Sequence, residues 1–299
     1  MDLTEERSIR EEAMRWLDDR AKSTDLSWVS YVELRDYHHG SERLALMDRQ
    51  RGIRKPAHMN AALSIRTTYT KPGEEPPYAD HVGEDGLQRY KYQGQDPNNY
   101  DNRALRTAME HQLPIIWFIG IDKGLFEPIY PVWVIAEEPA QHQFVIVVGD
   151  DHDYVRPEAS DIRRYSTRIA RTRLHQPVFR ARVLHAYGTK CSICRLKHPE
   201  LLDAAHIIQD GRPHGEAIVP NGISLCKIHH AAFDANIVGI RPDLTLHVRP
   251  DVLDEVDGWM LKGGIQGIHD RKLDVLPMSR LEWPDPFRLE ERYATFQSH

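Results

Sequence analysis

Residues 221–234 read NGISLCKIHHAAFD, and this short stretch combines two kinds of chemistry. Cys226-x-x-His229 is a metal half-site, and Cys191-x-x-Cys194 is a second half-site, with 31 residues between Cys194 and Cys226. Each spacing lets one tight turn present two ligands to a tetrahedral zinc ion. All three cysteines of the chain are used, and in an intracellular protein such pairs indicate metal binding rather than disulfides. The sequence therefore predicts a structural zinc site.

A second set of polar residues lies between the two metal half-sites and directly after the second one. His206 follows an apolar strand within LLDAAHII (201–208), and Asn221 begins another strand. His230 and Asp234 are four residues apart, so a helix presents both side chains on one face. Hydrolysis of a phosphodiester needs a base for water, a Lewis acid for the developing charge, and orientation of that base. These four residues can supply all three.

This order of residues resembles the HNH nucleases, in the zinc-stabilised form found in restriction enzymes and homing endonucleases. The resemblance covers about Gln176 to Ile240 and implies a ββα-metal fold. It also implies that His206 is the general base and that Asn221 braces the hairpin and orients His206. His230 and Asp234 would hold a catalytic divalent cation, Mg²⁺ or Mn²⁺ or another. The implied ligands of the structural zinc are Cys191, Cys194, Cys226 and His229.

One position departs from the family pattern. Many members place an Asp or His metal ligand immediately before the base, and here that residue is Ala205. Asp203 is the nearest acid. The subfamily with a small residue before the base often keeps an acid three positions before it, so Asp203 could reach the metal or the base, directly or through water. The alternative is that Asp203 is a solvated strand residue.

The length of 299 residues predicts two domains. We predict an α+β chain with a β-rich domain over 1–155, a basic arginine-rich linker over 156–175, and the nuclease domain with its zinc and a C-terminal extension over 176–299. The strand-like runs are WVSYVEL (28–34), RLALM (43–47), PIIWFIGI (114–121), PVWVIA (131–136) and QFVIVV (143–148). The helical segments are 4–20, capped by Thr4, 102–111, capped by Asp101, then 176–187 and 286–296.

The charge balance restricts the possible partners. A net charge of −6 and a pI of about 6.3 argue against indiscriminate nucleic-acid binding, which needs a dense basic surface. Residues 161–182 nevertheless hold seven arginines against one acid, enough to hold a DNA backbone locally. No run approaches 18 apolar residues, and the charged N-terminus lacks the apolar core of a signal peptide. We therefore predict a cytoplasmic protein that does not contact membranes.

A β-rich domain before an arginine-rich segment and a zinc-containing HNH domain resembles the type IV, modification-dependent restriction endonucleases. Their reader is usually an SRA-like or PUA-like barrel, or a domain that binds 5-methylcytosine or phosphorothioate. Residues 51–69 and 78–106 look like the reader segments found in front of such nuclease domains. The resemblance implies a restriction enzyme in antiviral defence whose substrate is double-stranded DNA containing modified cytosine, foremost 5-methylcytosine.

Within these two segments, aromatic rings can stack on an exposed or flipped base, and Asp or Asn can read its polar edge. The candidates for base contact are Tyr78, Asp80, Tyr90, Tyr92, Tyr100, Asp101 and Asn102. The candidates for phosphate contact are Arg51, Arg54, Lys55 and Arg66 in these segments, and Arg171 and Arg173 in the arginine-rich stretch 161–182. The alternatives are tyrosines that pack loops against the barrel and charges that are merely solvated.

Two other functions also fit the sequence. The HNH domain could be directed by phosphorothioate DNA, by plain sequence or by a small signalling molecule. Alternatively, the chain could be a zinc-stabilised DNA-binding protein with a degenerate nuclease site, because Ala205 replaces an expected ligand. One active site cuts one strand at a time, so double-strand cleavage needs a homodimer or two successive nicks.

Overall fold

The computed structural model describes most of the chain and divides it into two compact units, Met1–Val178 and Phe179–His299. The described residues are 1–71, 74, 81–83, 87–149, 175–256 and 258–299. The sequence-based domain boundaries stay predictions, because residues 150–174 lie outside the described residues.

The first unit contains a mixed sheet of eight described strands. Its order is β4-β5-β8-β9-β10-β7-β6, with β1 paired to β9, and only β5 and β8 run parallel. The strands are β1 Val29–Ser30, β4 Ile53–Arg54, β5 Ser64–Thr67, β6 His81–Val82, β7 Gln88–Lys91, β8 Ile115–Asp122, β9 Leu125–Glu138 and β10 Gln143–Val148. A separate hairpin joins β2 His38–His39 to β3 Glu42–Arg43.

The central strand β8 is buried on both faces, which explains why its sequence IIWFIGID is almost continuously apolar. Successive side chains of a strand point to opposite faces. Trp117 accordingly joins the core that contains Leu105 of helix α3 (Tyr100–Glu110). Phe118 joins a second core that contains Leu17 of helix α1 (Leu3–Thr24).

The prediction of a strand over 28–34 is wrong beyond Ser30. Residues Tyr31–Arg35 form helix α2, because Ser30 and Glu33 make a capping box in which each side chain accepts the other residue's backbone N–H. The run 43–47 contributes only Arg43 to a strand. The helix caps also differ from expectation: Asp2 caps α1 and Asn99 caps α3.

The second unit consists of short elements arranged as β-hairpins and helices. They are most of α4 (175–186), β11 Leu202–His206, β12 Gly222–Cys226, α5 Lys227–Asp234, β13 Val238–Ile240, β14 Leu246–Val248, α6 Pro250–Leu253 and α7 Pro286–Gln297. β11 pairs with β12 in an antiparallel hairpin, and α5 follows directly, which gives the expected ββα order. α7 packs on β13, where the Phe296 ring lies against Gly239.

The prediction of an α+β chain with a β-rich N-terminal region followed by a ββα module is confirmed. The assignment of the first sheet to the PUA or SRA families stays a prediction. In the part of the chain that the structure describes, no helix has the length and apolar character needed to cross a membrane.

Candidate nuclease site

The four predicted zinc ligands converge at one point of the second unit. The ligand atoms of Cys191, Cys194, Cys226 and His229 all lie within 4.8 Å of one another. Cys226 Sγ lies 3.9 Å from Cys194 Sγ and 3.2 Å from His229 Nδ1. For bond lengths of about 2.3 Å, the edge of a tetrahedron is about 3.7 Å. Three sulfurs and one nitrogen at these separations therefore fit a tetrahedral zinc ion.

The hydrogen bonds of His229 prepare it as a metal ligand. Its Nε2–H donates to the Gly264 carbonyl at 2.8 Å, which leaves Nδ1 facing the sulfurs. Burial alone would lower the pKa of His229, but Cys191, Cys226 and the Gly264 carbonyl raise it to about 10. Contacts with Cys191, Cys194 and His229 lower the pKa of Cys226. The cluster thus favours an anionic sulfur beside a proton that a metal cation would displace.

The predicted general base, His206, is the last residue of β11. Its backbone pairs with Gly222 in β12, and its ring stacks on the Phe179 ring at 3.9 Å and 19°. A Cβ on Gly222 would lie 2.8 Å from the Phe179 ring, so glycine permits this close packing. His206 Nε2 is buried and makes no hydrogen bond with the described residues. Burial lowers the pKa of His206, which favours the neutral imidazole that a base requires.

Asn221 is fully buried and closes the loop between β11 and β12. Its Oδ1 accepts the Ile208 N–H at 2.9 Å, and its Nδ2 donates to the Ile208 carbonyl at 2.9 Å and to the Glu216 carbonyl at 3.0 Å. The Ile207 N–H also donates to the Asn221 carbonyl at 2.9 Å. Asn221 therefore fixes the chain directly after His206, and it reaches the base through this backbone.

His230 and Asp234 lie together on one face of α5, as their spacing predicts. His230 Nε2 is 3.3 Å from Asp234 Oδ2, and both side chains are accessible to solvent. Two ligand atoms of one cation at bond lengths of about 2.1 Å are about 3.0 Å apart in octahedral geometry. The pair thus fits two ligand positions of a small divalent cation.

Asp203 contacts the other nitrogen of His230. Its Oδ2 lies 3.5 Å from His230 Nδ1, and both of its oxygens accept from Lys227 Nζ, at 2.8 and 2.7 Å. Burial raises the pKa of Asp203, but Lys227 and His230 hold it below the usual value. The two carboxylates contact opposite nitrogens of His230. Asp203 can therefore orient this histidine, and Asp234 can bind the same cation as His230.

Position 205 contributes no donor to this arrangement. Ala205 is fully buried and lies on the same face of β11 as Asp203. Among the residues that the structure describes, the Cys/His cluster is the one group of three or more metal donors. A cation held by His230 and Asp234 would therefore need water or substrate oxygens for its remaining ligands, as is usual for Mg²⁺.

Several residues proposed for base contact in the first unit are part of its core. Tyr90 and Tyr92 are buried, with hydroxyls that donate to the Gly52 carbonyl and to Glu137. Asn102 is fully buried and bonds the backbone of Gln93, and Asp101 is buried at the start of α3. Base contact by these four residues stays a prediction, and in this structure their polar atoms and rings pack inside the unit.

The remaining candidates of the first unit divide into bound and accessible side chains. Arg66 donates to the Arg49 carbonyl at 2.8 Å and Arg54 to the Ala45 carbonyl at 3.0 Å, so both fix local backbone. Tyr100 is 44% exposed, with Lys55 Nζ 4.8 Å from its ring centre. Arg51 is exposed and pairs with Asp101 at 3.4 Å. Tyr78, Asp80, Arg171 and Arg173 lie outside the described residues.

Sequence reasoning missed three contacts of the nuclease site. Phe179 lies under His206, Lys227 pairs with Asp203, and the Gly264 carbonyl holds His229. Lys227 directly follows a zinc ligand and could have been noticed as a basic residue beside the metal helix. Neither Phe179 nor Gly264 has a sequence signal, because an apolar helix residue and a glycine far along the chain have many other uses.

A ββα module with a cluster of three cysteines and one histidine, a histidine at the end of its first strand and a histidine–aspartate pair on its helix has the residue arrangement of a metal-dependent nuclease. Residues 191–241 match the family model described as HNH endonuclease. The second unit therefore contains an HNH endonuclease domain, and the chain is a nuclease by this domain. Comparison with curated protein sequences finds no match.

Two solved structures show a distant likeness to the chain. One is described as a modification dependent TagI restriction endonuclease, with 16% identity, a TM-score of 0.29, and coverage of 82% of this chain and 85% of that one. The other is described as the Type IV phosphorothioation-dependent restriction endonuclease ScoMcrA, with 12% identity, a TM-score of 0.23, and coverage of 62% and 48%. TM-scores below 0.5 do not establish a shared overall fold.

Proposed function

We propose that this chain is a metal-dependent DNA endonuclease in which His206 is the general base and His230 and Asp234 hold the catalytic cation. The observation that supports it most is the opposed engagement of His230, with Asp203 at one nitrogen and Asp234 at the other. The two contacts fix the orientation of the His230 ring and place an accessible carboxylate beside it. A metal ligand needs such an orientation, whereas a purely structural histidine does not. The HNH match covers these residues.

Each residue of the site has a defined task in this proposal. A neutral His206 accepts a proton from the attacking water, and its lowered pKa keeps it unprotonated near neutral pH. Asn221 holds the backbone after His206, so the base keeps its position. When bound, a divalent cation would act as a Lewis acid for the charge that develops on the phosphate. Asp203 orients His230 toward that cation.

Replacement of the base tests the nuclease assignment. His206→Ala should lower plasmid cleavage with Mg²⁺ or Mn²⁺ by about 10²- to 10⁴-fold, the usual contribution of a general base. His198→Ala is the control, because His198 is exposed in the same unit and, among the described residues, its side chain pairs with Glu200 alone, at 3.5 Å. Zinc content and thermal unfolding should stay at wild-type values in both variants. Equal cleavage by wild type and His206→Ala would refute the assignment and favour a degenerate, DNA-binding site.

We further propose that the first unit restricts cleavage to modified DNA, foremost DNA with 5-methylcytosine. The support is the division of the chain into a nuclease unit and a separate β-rich unit. The accessible side chains of Tyr100, Lys55 and Arg51 form one basic and aromatic surface next to the start of α3. A ring and cations of this kind suit contact with a base and its neighbouring phosphates.

Cleavage of one plasmid in several modification states tests this second proposal. We expect the full-length protein to cut the 5-methylcytosine form faster than the unmodified form, and the ratio of nicked to linear product shows whether the strands are cut together. Preference for a phosphorothioate plasmid would change the modification but keep the reader role. Equal cleavage of all forms would refute modification dependence while leaving the nuclease assignment intact.

A further inference from the structure

Helix α7, which lies outside the matched residues 191–241, presents three polar residues along one face. They are Asp285, which caps the helix, Arg288 and Arg292. Their spacing of three and four residues places them on the same side of a helix. All three contact segments that carry residues of the nuclease site, namely the loop before β12 or the end of α5.

The N-terminal end of α7 holds the loop that contains Asn221. The Asp285 N–H donates to the Pro220 carbonyl at 2.9 Å. Arg288 donates to the His214 carbonyl at 2.9 Å and to the Glu216 carboxylate at 2.5 Å. Asn221 donates to the Glu216 carbonyl, and Arg288 of α7 donates to the Glu216 carboxylate, so both hold the same loop.

The middle of α7 holds the other half of the site, the C-terminal end of α5. Arg292 Nη2 donates to the Phe233 carbonyl at 2.6 Å, and Nη1 donates to Asn236 Oδ1 at 2.5 Å. The guanidinium also lies over the Phe233 ring, 4.7 Å from its centre. A cation here gives the Phe233 carbonyl, which also accepts from the Asn236 N–H at 3.2 Å, a second donor, and it complements the dipole at the end of the helix. Phe233 directly precedes Asp234, so this contact fixes the turn that carries the carboxylate.

Charge connects Arg292 to Asp234 as well. Burial lowers the pKa of Arg292, and attraction to Asp234 acts in the opposite direction. The half-buried guanidinium is therefore attracted to the carboxylate of Asp234. The electrostatic attraction between a half-buried charge and its partner is stronger than that between two charges on an open surface.

We infer that Arg292 is a positioning residue and that α7 acts as a clamp, which sets the cation helix α5 against the loop that fixes the base. This inference rests on the proposed nuclease function. Displacement of reacting groups by about 1 Å can cost about 100-fold in rate. Loss of an outer partner of a metal ligand typically costs about 10- to 100-fold in metal affinity or activity.

The test compares full-length variants that carry zinc. Arg292→Met removes every donor, Arg292→Lys keeps the charge, and Arg271→Met is the control, since Arg271 makes a surface pair with Asp274 at 3.2 Å. Mn²⁺ affinity is measured by calorimetry without DNA, and kcat and KM are measured on plasmid DNA. We expect Arg292→Met to bind Mn²⁺ about 10-fold more weakly and to lose about 10-fold or more in kcat with KM unchanged. Arg292→Lys should recover part of both.

A second variant keeps the test decisive if Arg292→Met fails to fold. Asn236 has a positive φ of 53°, which glycine adopts without strain, so Asn236→Gly removes one acceptor and leaves the backbone in place. It should weaken Mn²⁺ binding by a smaller factor. If Arg292→Met folds and keeps the wild-type Mn²⁺ affinity and kcat, the clamp is overturned. If Arg292→Met does not fold, a wild-type Mn²⁺ affinity in Asn236→Gly overturns it. Absence of Mn²⁺ binding and cleavage in the wild type would instead refute the nuclease proposal.

Discussion

Adjacent histidines on α5 serve two different kinds of site. His229 is buried, and its two nitrogens face the cysteine cluster and a backbone carbonyl. His230 is partly exposed, and its nitrogens face two carboxylates. One residue of helix turns the side chain by about 100°. A closed sulfur-rich site and an open oxygen-rich site therefore share one helix without sharing a ligand, and only the open one leaves room for a substrate.

Removal of a cysteine should have the largest effect, because the closed site holds the module together. Cys226→Ser weakens a zinc site whose binding typically contributes about 10–16 kcal/mol to folding, so the second unit should lose its structure and all cleavage. Zinc content and thermal unfolding measure this loss. Ser224→Ala, two residues away, is the control, because its buried hydroxyl has no hydrogen-bond partner among the described residues. A zinc-free Cys226→Ser protein that still cuts DNA would contradict a folding role.

Changes at the open site should reduce activity without unfolding the protein. Asp203→Asn removes the negative partner of His230 Nδ1 and should lower cleavage by about 10- to 100-fold, with a higher concentration of Mn²⁺ needed for half-maximal rate. Zinc content should not change. Glu200→Gln, an exposed acid three residues earlier, should behave as wild type. An unchanged Mn²⁺ requirement in Asp203→Asn would show that this acid serves only to pair with its basic neighbours Lys227 and Arg180.

The smallest expected effect is a shift of the pH profile. Burial lowers the pKa of His206, and the neutral form acts as base, so kcat/KM should fall only below the usual histidine value of about 6.5. The charge of Asp210 raises this pKa, so Asp210→Asn should move the acid limb to still lower pH. If kcat/KM of the wild type already falls as the pH drops from a value above about 7, another group limits the rate.

The sequence could predict both groups of candidate ligands because their positions follow from local geometry. Two short cysteine and histidine spacings and one four-residue helical spacing specify side-chain directions without any knowledge of the tertiary fold. The β10 strand at 143–148 and the helix over 286–296 were predictable for the same reason, since periodicity and proline placement act locally.

Other features could not be predicted because they depend on packing between distant segments. Tyr90 and Tyr92 lie in a sequence typical of a binding loop, yet Tyr90 in β7 and Tyr92 directly after it both have their rings in the core. The residues 31–35 have strand-like composition, and a single capping box makes them helical. Arg292 is 58 residues beyond Asp234, and no spacing rule relates a C-terminal arginine to a metal helix.

The shared helix also limits how this enzyme can vary. Substitutions between Cys226 and Asp234 affect one site or the other, but insertion or deletion of one residue would rotate everything after it by about 100°. Depending on its place, such a change would move His229 out of the cysteine cluster or separate His230 from Asp234. The segment can therefore vary at positions that carry no candidate ligand but not in length, and a library for engineering this nuclease should keep its nine residues in register.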